Sequence, residues 1–143
     1  NEELKALKLY LNIEQTRFGS RLELEFDVTA AAEAVKIPSL ILQPLAENAI
    51  KYGGLQQQIT IELEKLDRFV AIKVADQGPG IAATERTKIF EKFYRIGAEE
   101  TRKQAGSGLG LYIVAEYARL HNGQIRCFEN TPSGCVFELI LPI

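Results

Sequence analysis

Phe69-Val70-Ala71-Ile72-Lys73-Val74 is an apolar run that leads into Asp76-Gln77-Gly78-Pro79-Gly80. Such a run predicts a buried strand, and the glycines beyond Asp76 predict its end. Upstream, Ile59-Thr60-Ile61-Glu62-Leu63 is a second strand, joined to the first near Leu66-Asp67-Arg68. A connection that short favours an antiparallel hairpin. Farther upstream, Leu40, Ile41, Leu42, Leu45, Ala46, Ala49 and Ile50 predict a helix over residues 38–52. It opens at Ile37-Pro38-Ser39, with Pro38 in the first turn, and stops at Gly53-Gly54. Before it come an alanine-rich stretch of ambiguous type (29–35) and a strictly alternating strand (22–28). A first amphipathic helix over residues 2–18 ends at Gly19.

Downstream of Gly80, glycine and charge dominate as far as Gly110, with Ile89, Phe90, Phe93 and Tyr94 as a small apolar cluster. A loop of that length inside one domain is usually a lid or binding loop. A third main helix starts at Leu111-Tyr112-Ile113-Val114-Ala115 and ends near Leu120-His121-Asn122-Gly123. Two strands, 124–129 and 135–141, flank a turn at Asn130-Thr131-Pro132-Ser133-Gly134. The order predicts an α/β sandwich (α+β): a mixed, mostly antiparallel sheet of about five strands with three main helices on one face.

The chain has 143 residues, 46% hydrophobic and 25% charged, which fits one globular domain and excludes a disordered or fibrous protein. With 17 basic and 19 acidic residues there is no bulk attraction to nucleic acid or to an anionic membrane, so any anion site must be local. No stretch reaches the ~18 apolar residues of a membrane span, and Asn1-Glu2-Glu3 starts no signal peptide; the chain fits a domain cut from something larger. Cys127 and Cys135 flank the last turn and could face each other across it, or be two small buried thiols. With one histidine, His121, they fall short of zinc-ligand spacing.

Two glycine clusters stand out, Asp76-Gln77-Gly78-Pro79-Gly80 and Gly106-Ser107-Gly108-Leu109-Gly110. The second lies directly before a helix, where bare backbone N–H groups and the helix dipole suit a polyanion. A P-loop is excluded because the chain has no Gly-Lys pair. A dinucleotide fingerprint is excluded because Glu99-Glu100-Thr101-Arg102-Lys103-Gln104-Ala105, before Gly106, would not form a buried strand. Asp76, a carboxylate at a strand end, could accept the exocyclic amine of adenine, or simply start a turn. Asn48, Lys51 and Tyr52 share one stripe of their helix at i, i+3 and i+4. They could hold a cation, a phosphate and a base, or form a solvated edge.

These residues resemble the catalytic, ATP-binding domain of two-component sensor histidine kinases, in the superfamily that includes gyrase-type, Hsp90-type and MutL-type ATPases. Leu42-Gln43-Pro44-Leu45-Ala46-Glu47-Asn48-Ala49-Ile50-Lys51-Tyr52-Gly53 resembles the N box, and Asp76-Gln77-Gly78-Pro79-Gly80-Ile81 the first glycine box. Phe90-Glu91-Lys92-Phe93-Tyr94-Arg95 resembles the F box, and Gly106-Ser107-Gly108-Leu109-Gly110-Leu111 the second glycine box. Four boxes in the family's order are specific. The opening, with Tyr10-Leu11-Asn12-Ile13-Glu14 and Arg17-Phe18, resembles the linker helix of the autolysin-regulator-like sensors.

The resemblance implies a Bergerat-type fold with a long ATP lid (81–105), and a protein-histidine kinase activity that uses ATP and Mg²⁺. Asn48 would coordinate Mg²⁺, Lys51 contact a phosphate, and Tyr52 pack near adenine or ribose. Asp76 would take the adenine amine, with Gly78 and Gly80 keeping its surroundings open and Ile81 following in the pocket. Gly106, Ser107, Gly108, Leu109 and Gly110 would shape the lid hinge and phosphate cradle. Phe90 and Phe93 would anchor the lid, and Arg95 would lie near the phosphates, completing the catalytic set of Asn48, Lys51 and Arg95. Residues 1–19 would be a linker helix toward a missing dimerisation and phosphoacceptor domain, and 20–143 the catalytic domain. The implied setting is cytoplasmic, in a parent that is membrane-anchored or free. The implied partners are the parent's histidine-bearing dimerisation helices and, indirectly, a response regulator, with no nucleic acid or membrane contact and a monomeric isolated domain.

Two departures from the family pattern matter. Pro44 stands where the N box carries a polar or acidic residue four before the metal-binding Asn, which argues against efficient ATP hydrolysis and is tolerable in a kinase. Glu47 is the neighbouring carboxylate, but it points about 100° away from Asn48 around the helix. His121, at a helix end, is expected to be structural, so the γ-phosphoryl group would go to a histidine outside this chain and the isolated domain would not label itself. The rivals are an anti-sigma-factor-type serine kinase and a nucleotide-responsive binding module without chemistry.

Overall fold

The computed structural model describes residues 2–19, 22–37, 41–52, 57–92 and 110–143. Its elements are α1 (Glu2–Phe18), β1 (Leu22–Val28), α2 (Ala30–Glu33), α3 (Leu42–Tyr52), β2 (Gln57–Leu66), β3 (Phe69–Ala75), a 3-10 turn (Lys88–Phe90), α4 (Gly110–Leu120), β4 (Gln124–Glu129) and β5 (Cys135–Pro142). The strands form one five-stranded sheet in the order β1-β2-β3-β5-β4. β1 and β2 run parallel, Leu24 opposite Ile59, because a helical connection carries the chain between them. The other pairs, β2–β3, β3–β5 and β4–β5, are antiparallel. β2 and β3 meet through the two-residue turn Asp67-Arg68, with Asp67 at φ 50°, a left-handed conformation Asp tolerates.

Alternation decides which face is dry. Ile59, Ile61, Leu63, Val70, Ile72, Val74, Phe137, Leu139 and Leu141 are buried in one core with the helices. That core receives Leu4, Leu7 and Leu11 from α1, Leu42, Leu45, Ala46 and Ala49 from α3, and Val114 and Ala118 from α4. Burying each such leucine contributes about 1.5–3 kcal/mol. On the opposite face the register lines up Glu62, Lys73, Glu138 and Arg126 across four strands. Glu138, nearly enclosed, accepts from Arg126 Nε at 2.6 Å and sits 3.7 Å from Lys73 Nζ.

Three local outcomes refine the sequence expectations. The alanine-rich stretch forms a single turn of helix, α2, whose N-cap Thr29 accepts the Ala32 N–H through Oγ1 at 3.2 Å. α3 begins at Leu42, with Ile41 outside it, and not at Pro38 as expected; residues 38–40 lie outside the described set. The reason is Pro44. A helix opening at 38 would place Pro44 in its interior, where a missing N–H and a ring clash cost ~3 kcal/mol; starting at Leu42 puts it in the first turn. α4 ends in a left-handed residue, but that residue is Asn122 (φ 59°), with Gly123 N–H bonded to Ala118 O at 2.7 Å and Asn122 N–H to Arg119 O at 3.1 Å. Gly123 is needed for space: a Cβ there would collide with Ile140 O and Leu141 Cδ2.

Cys127 and Cys135 are not directly opposite. Cys127 pairs with Phe137 and Cys135 with Glu129, so the two share the core face one diagonal step apart.

Candidate functional site

β3 delivers Asp76 to the end of the sheet. Asp76 N–H donates to Cys135 O at 2.9 Å, adding one rung beyond the β3–β5 ladder. The side chain is buried, at 3% exposure, against the start of β5. Its Oδ1 accepts the Gly78 N–H at 3.0 Å and the Cys135 N–H at 3.3 Å. The first is an Asx turn, which explains how Asp at a strand end reverses the chain. Oδ2 has no hydrogen-bond partner among the described residues, so a buried acceptor is left for a ligand. Burial pushes the Asp76 carboxyl up from the ordinary aspartate value, and the Gly78 and Cys135 N–H groups pull the other way.

The β4–β5 hairpin clamps this corner. Asn130 Nδ2 donates to Asp76 O at 2.7 Å, and Ser133 Oγ to Gln77 O at 3.2 Å. Gly134, at φ +100°, lies so close that a Cβ would overlap Asp76 O and stand 2.8 Å from Asp76 Oδ1. Gly80, at φ +82°, in turn approaches Gly134 O. Asn130, Ser133 and Gly134 belong to the site although the sequence identifies them only as a turn. Their approach to a residue more than 50 positions away has no local signal.

After Gly80 the chain does not leave the body of the protein at once. Ile81 and Ile89 are in the core, Arg86 Nε donates to Ile81 O at 3.0 Å, and the Phe90 ring packs edge-on against Phe137 with centroids 6.3 Å apart. The segment expected to be lid from residue 81 is therefore a packed shoulder up to Phe90. Phe90 anchors it as expected, while Phe93 and Arg95 lie outside the described residues.

The second half of the site is built by α3 and α4. Asn48 Nδ2 donates to Pro44 O at 3.0 Å, and since a carbonyl only accepts, this fixes which amide atom is the nitrogen. Asn48 Oδ1 has no hydrogen-bond partner among the described residues. Gly110, the first residue of α4, stands next to it: a Cβ on Gly110 would be 3.9 Å from Asn48 Nδ2. The Asn48 amide and the positive end of an 11-residue helix thus come together from positions 62 apart. Lys51 and Tyr52 close α3, their backbone helical. Their side chains, like Gly106, Ser107, Gly108 and Leu109, lie outside the described residues.

Glu47 turns elsewhere. It accepts from Gln43 Nε2 at 3.0 Å and acts electrostatically on Tyr10 of α1. Burial first, then Glu14 and Glu47, push the Tyr10 phenol up to about 12. His121 Nδ1 donates to Tyr117 O at 2.8 Å, a bond that ends α4.

Residues 34–143 match the family described as histidine kinase-, DNA gyrase B-, and HSP90-like ATPase. The signal transduction histidine-protein kinase AfsQ2 of Streptomyces coelicolor is 40% identical over 104 residues, 72% of this chain and 19% of that protein. The sensor-like histidine kinase SenX3 of Mycolicibacterium smegmatis is 37% identical over 98 residues, 68% of this chain and 26% of that protein. The chain thus spans about a fifth to a quarter of the length of these relatives. Among solved structures, the catalytic domain of histidine kinase ThkA superposes with a TM-score of 0.82 at 25% identity, covering 99% of this chain and 92% of that one.

Proposed function

The chain belongs to the histidine kinase-, DNA gyrase B-, and HSP90-like ATPase family, and from that premise we propose that it is the ATP-binding catalytic domain of a sensor histidine kinase, transferring the γ-phosphoryl group of Mg·ATP to a histidine outside this chain. The observation that carries this is the division of labour within one carboxylate: Asp76 Oδ1 is held by two backbone N–H groups while Oδ2 is left as an acceptor. Oδ2 accepts the exocyclic amine of adenine. Guanine would present a carbonyl there, an acceptor against an acceptor, at a cost of about 1–3 kcal/mol.

The start of α4 at Gly110 turns its N–H groups toward the triphosphate, and Asn48 stands beside it. The donor set fits magnesium: a hard cation takes oxygen ligands, and Asn48 Oδ1 has no hydrogen-bond partner among the described residues. Magnesium, when bound, would neutralise charge across the phosphates. To Lys51 and Arg95 we assign phosphate contacts, to Tyr52 the base or ribose, and to Gly106, Ser107, Gly108 and Leu109 the phosphate cradle. To Gly78 and Gly80 we assign keeping the surroundings of Asp76 open, with Ile81 following in the pocket. Phosphoryl transfer is mainly positioning and charge neutralisation, so the chain needs no base of its own when the nucleophile is an external imidazole. Pro44 and the displaced Glu47 suit that division.

Residues 1–19 we assign as a linker toward dimerisation and phosphoacceptor helices of the autolysin-regulator-like type, on the strength of Tyr10 to Phe18. A response regulator would be the partner at one remove, and a cytoplasmic setting follows from the supply of ATP. Calorimetry with ATP and magnesium, followed by labelled ATP with an isolated acceptor-helix fragment, tests the whole. Saturable Mg·ATP binding with acid-labile label on the fragment is expected. Binding without label would favour a nucleotide-responsive module, label on a serine substrate a serine kinase, and no binding would end the proposal.

A further inference from the structure

Beneath the Asp76 corner lie two free thiols, Cys127 on β4 and Cys135 on β5. They project from the same face of adjacent strands, one diagonal step apart, and act on each other electrostatically. Cys135 is enclosed at 2% exposure, while Cys127, on the outermost strand of the sheet, is half-buried. Arg86, anchored on Ile81 O and 3.9 Å from Glu129, lies close enough to act on both thiols. The adjacent Cys135 sulfur and then burial push the Cys127 thiol up, while the adjacent Cys127 thiol and the Ile81 N–H pull the Cys135 thiol down.

Cys135 is also the residue that holds the site together. Its N–H and C=O bond Asp76, and its sulfur feels the Ile81 N–H. We propose that Cys127 and Cys135 form an oxidant-made disulfide that loosens the Asp76 corner and lowers nucleotide affinity.

The oxidant class is a peroxide. Cys127 is the thiol that a peroxide can reach; once it gives up its proton, its sulfur attacks the peroxide O–O bond, hydroxide leaves, takes up that proton and becomes water, and a Cys127 sulfenic acid remains. The Cys135 sulfur then attacks the sulfenic sulfur; the S–O bond breaks, the S–S bond forms, and the Cys135 proton leaves with that oxygen as a second water. Two thiols lose two electrons and two protons, and one peroxide becomes two waters.

Geometry supplies the consequence. Diagonal partners on antiparallel strands stand about 7–8 Å apart at Cα, and a disulfide spans at most about 6.8 Å, so closing the bond must draw Cys135 toward β4. Its N–H bond to Asp76 Oδ1, already 3.3 Å, is the one that lengthens first. Strained disulfides are also the readily reduced ones, so the change should reverse.

The effect on affinity rests on the site proposed above; the bond itself does not. The chain is treated with hydrogen peroxide and then with dithiothreitol, with Cys127→Ser in parallel. Expected are loss of two titratable thiols without dimerisation, a peptide linking Cys127 to Cys135, and ATP affinity weakened about tenfold and restored by reductant. Amide exchange at Gly78 and Ile81 should quicken in the oxidised chain, and Cys127→Ser should show none of these changes. Thiols that stay titratable, oxidation of Cys127 without a link, or a linked chain with unchanged Gly78 and Ile81 exchange each overturn the inference. Failure of the reduced chain to bind ATP, with exchange still responding to peroxide, would count against the proposed function alone.

Discussion

Glu3 on α1 caps Leu42 on α3: its Oε1 accepts the Leu42 N–H at 3.2 Å and the Ile41 N–H at 3.1 Å. The first N–H groups of a helix lack intrahelical partners, and here a carboxylate from a different helix supplies one, with favourable charge at the positive end of the dipole. The helix so capped carries Asn48. Glu3→Ala should therefore destabilise the fold by about 1–2 kcal/mol, and Glu3→Gln by less, since an amide oxygen still accepts. Denaturant midpoints for the two variants check this; equal midpoints for Glu3→Ala and the parent chain would show that water replaces the cap.

Asp76 sets function against stability. Its folded pKa is raised, so the stability it contributes is fully present below the aspartate value of 3.8 and is lost as pH rises through the folded pKa. At neutral pH the buried carboxylate is thus a net cost, and Asp76→Asn should raise the melting temperature there, with the gain shrinking as pH falls toward 3.8. The same substitution turns a donor toward the adenine amine and should weaken ATP binding more than tenfold. Melting scans over pH and calorimetry read the two halves separately.

Gly134→Ala should damage both. The residue sits at φ +100°, and its new methyl would enter the Asp76 backbone carbonyl. A cost of about 2–3 kcal/mol is expected, together with loss of ATP affinity. Retained affinity in a folded variant would mean that the β4–β5 hairpin can yield without moving Asp76.

Asn48→Ala should separate metal from fold. Alanine is the better helix former, which offsets the lost bond to Pro44 O, so stability should change by less than about 0.5 kcal/mol. The magnesium dependence of ATP binding should disappear. Titrations with and without magnesium decide it; a variant that keeps the dependence takes Asn48 out of the metal site.

Much of this protein was legible before its structure. The alternation of Ile59, Ile61 and Leu63 against Val70, Ile72 and Val74 announced the central hairpin, and the four ordered boxes announced the family. Helix ends were harder. Gly19, at φ +63°, stops α1 as expected, but Asn122 takes that role in α4, and α3 starts four residues late because Pro44 and a cap from α1 outweigh Pro38.

Period and composition report which face of each element must leave water, and a motif reports which residues meet within one turn, so the chain itself determined its elements, its dry face and the Asx turn at Asp76. Contacts between residues far apart depend on sheet register and on how helices stack, which no local pattern encodes. Only tertiary structure decided that Glu3 caps α3, that Gly110 arrives beside Asn48, and that Cys135, Asn130 and Gly134 grip Asp76 from the far hairpin.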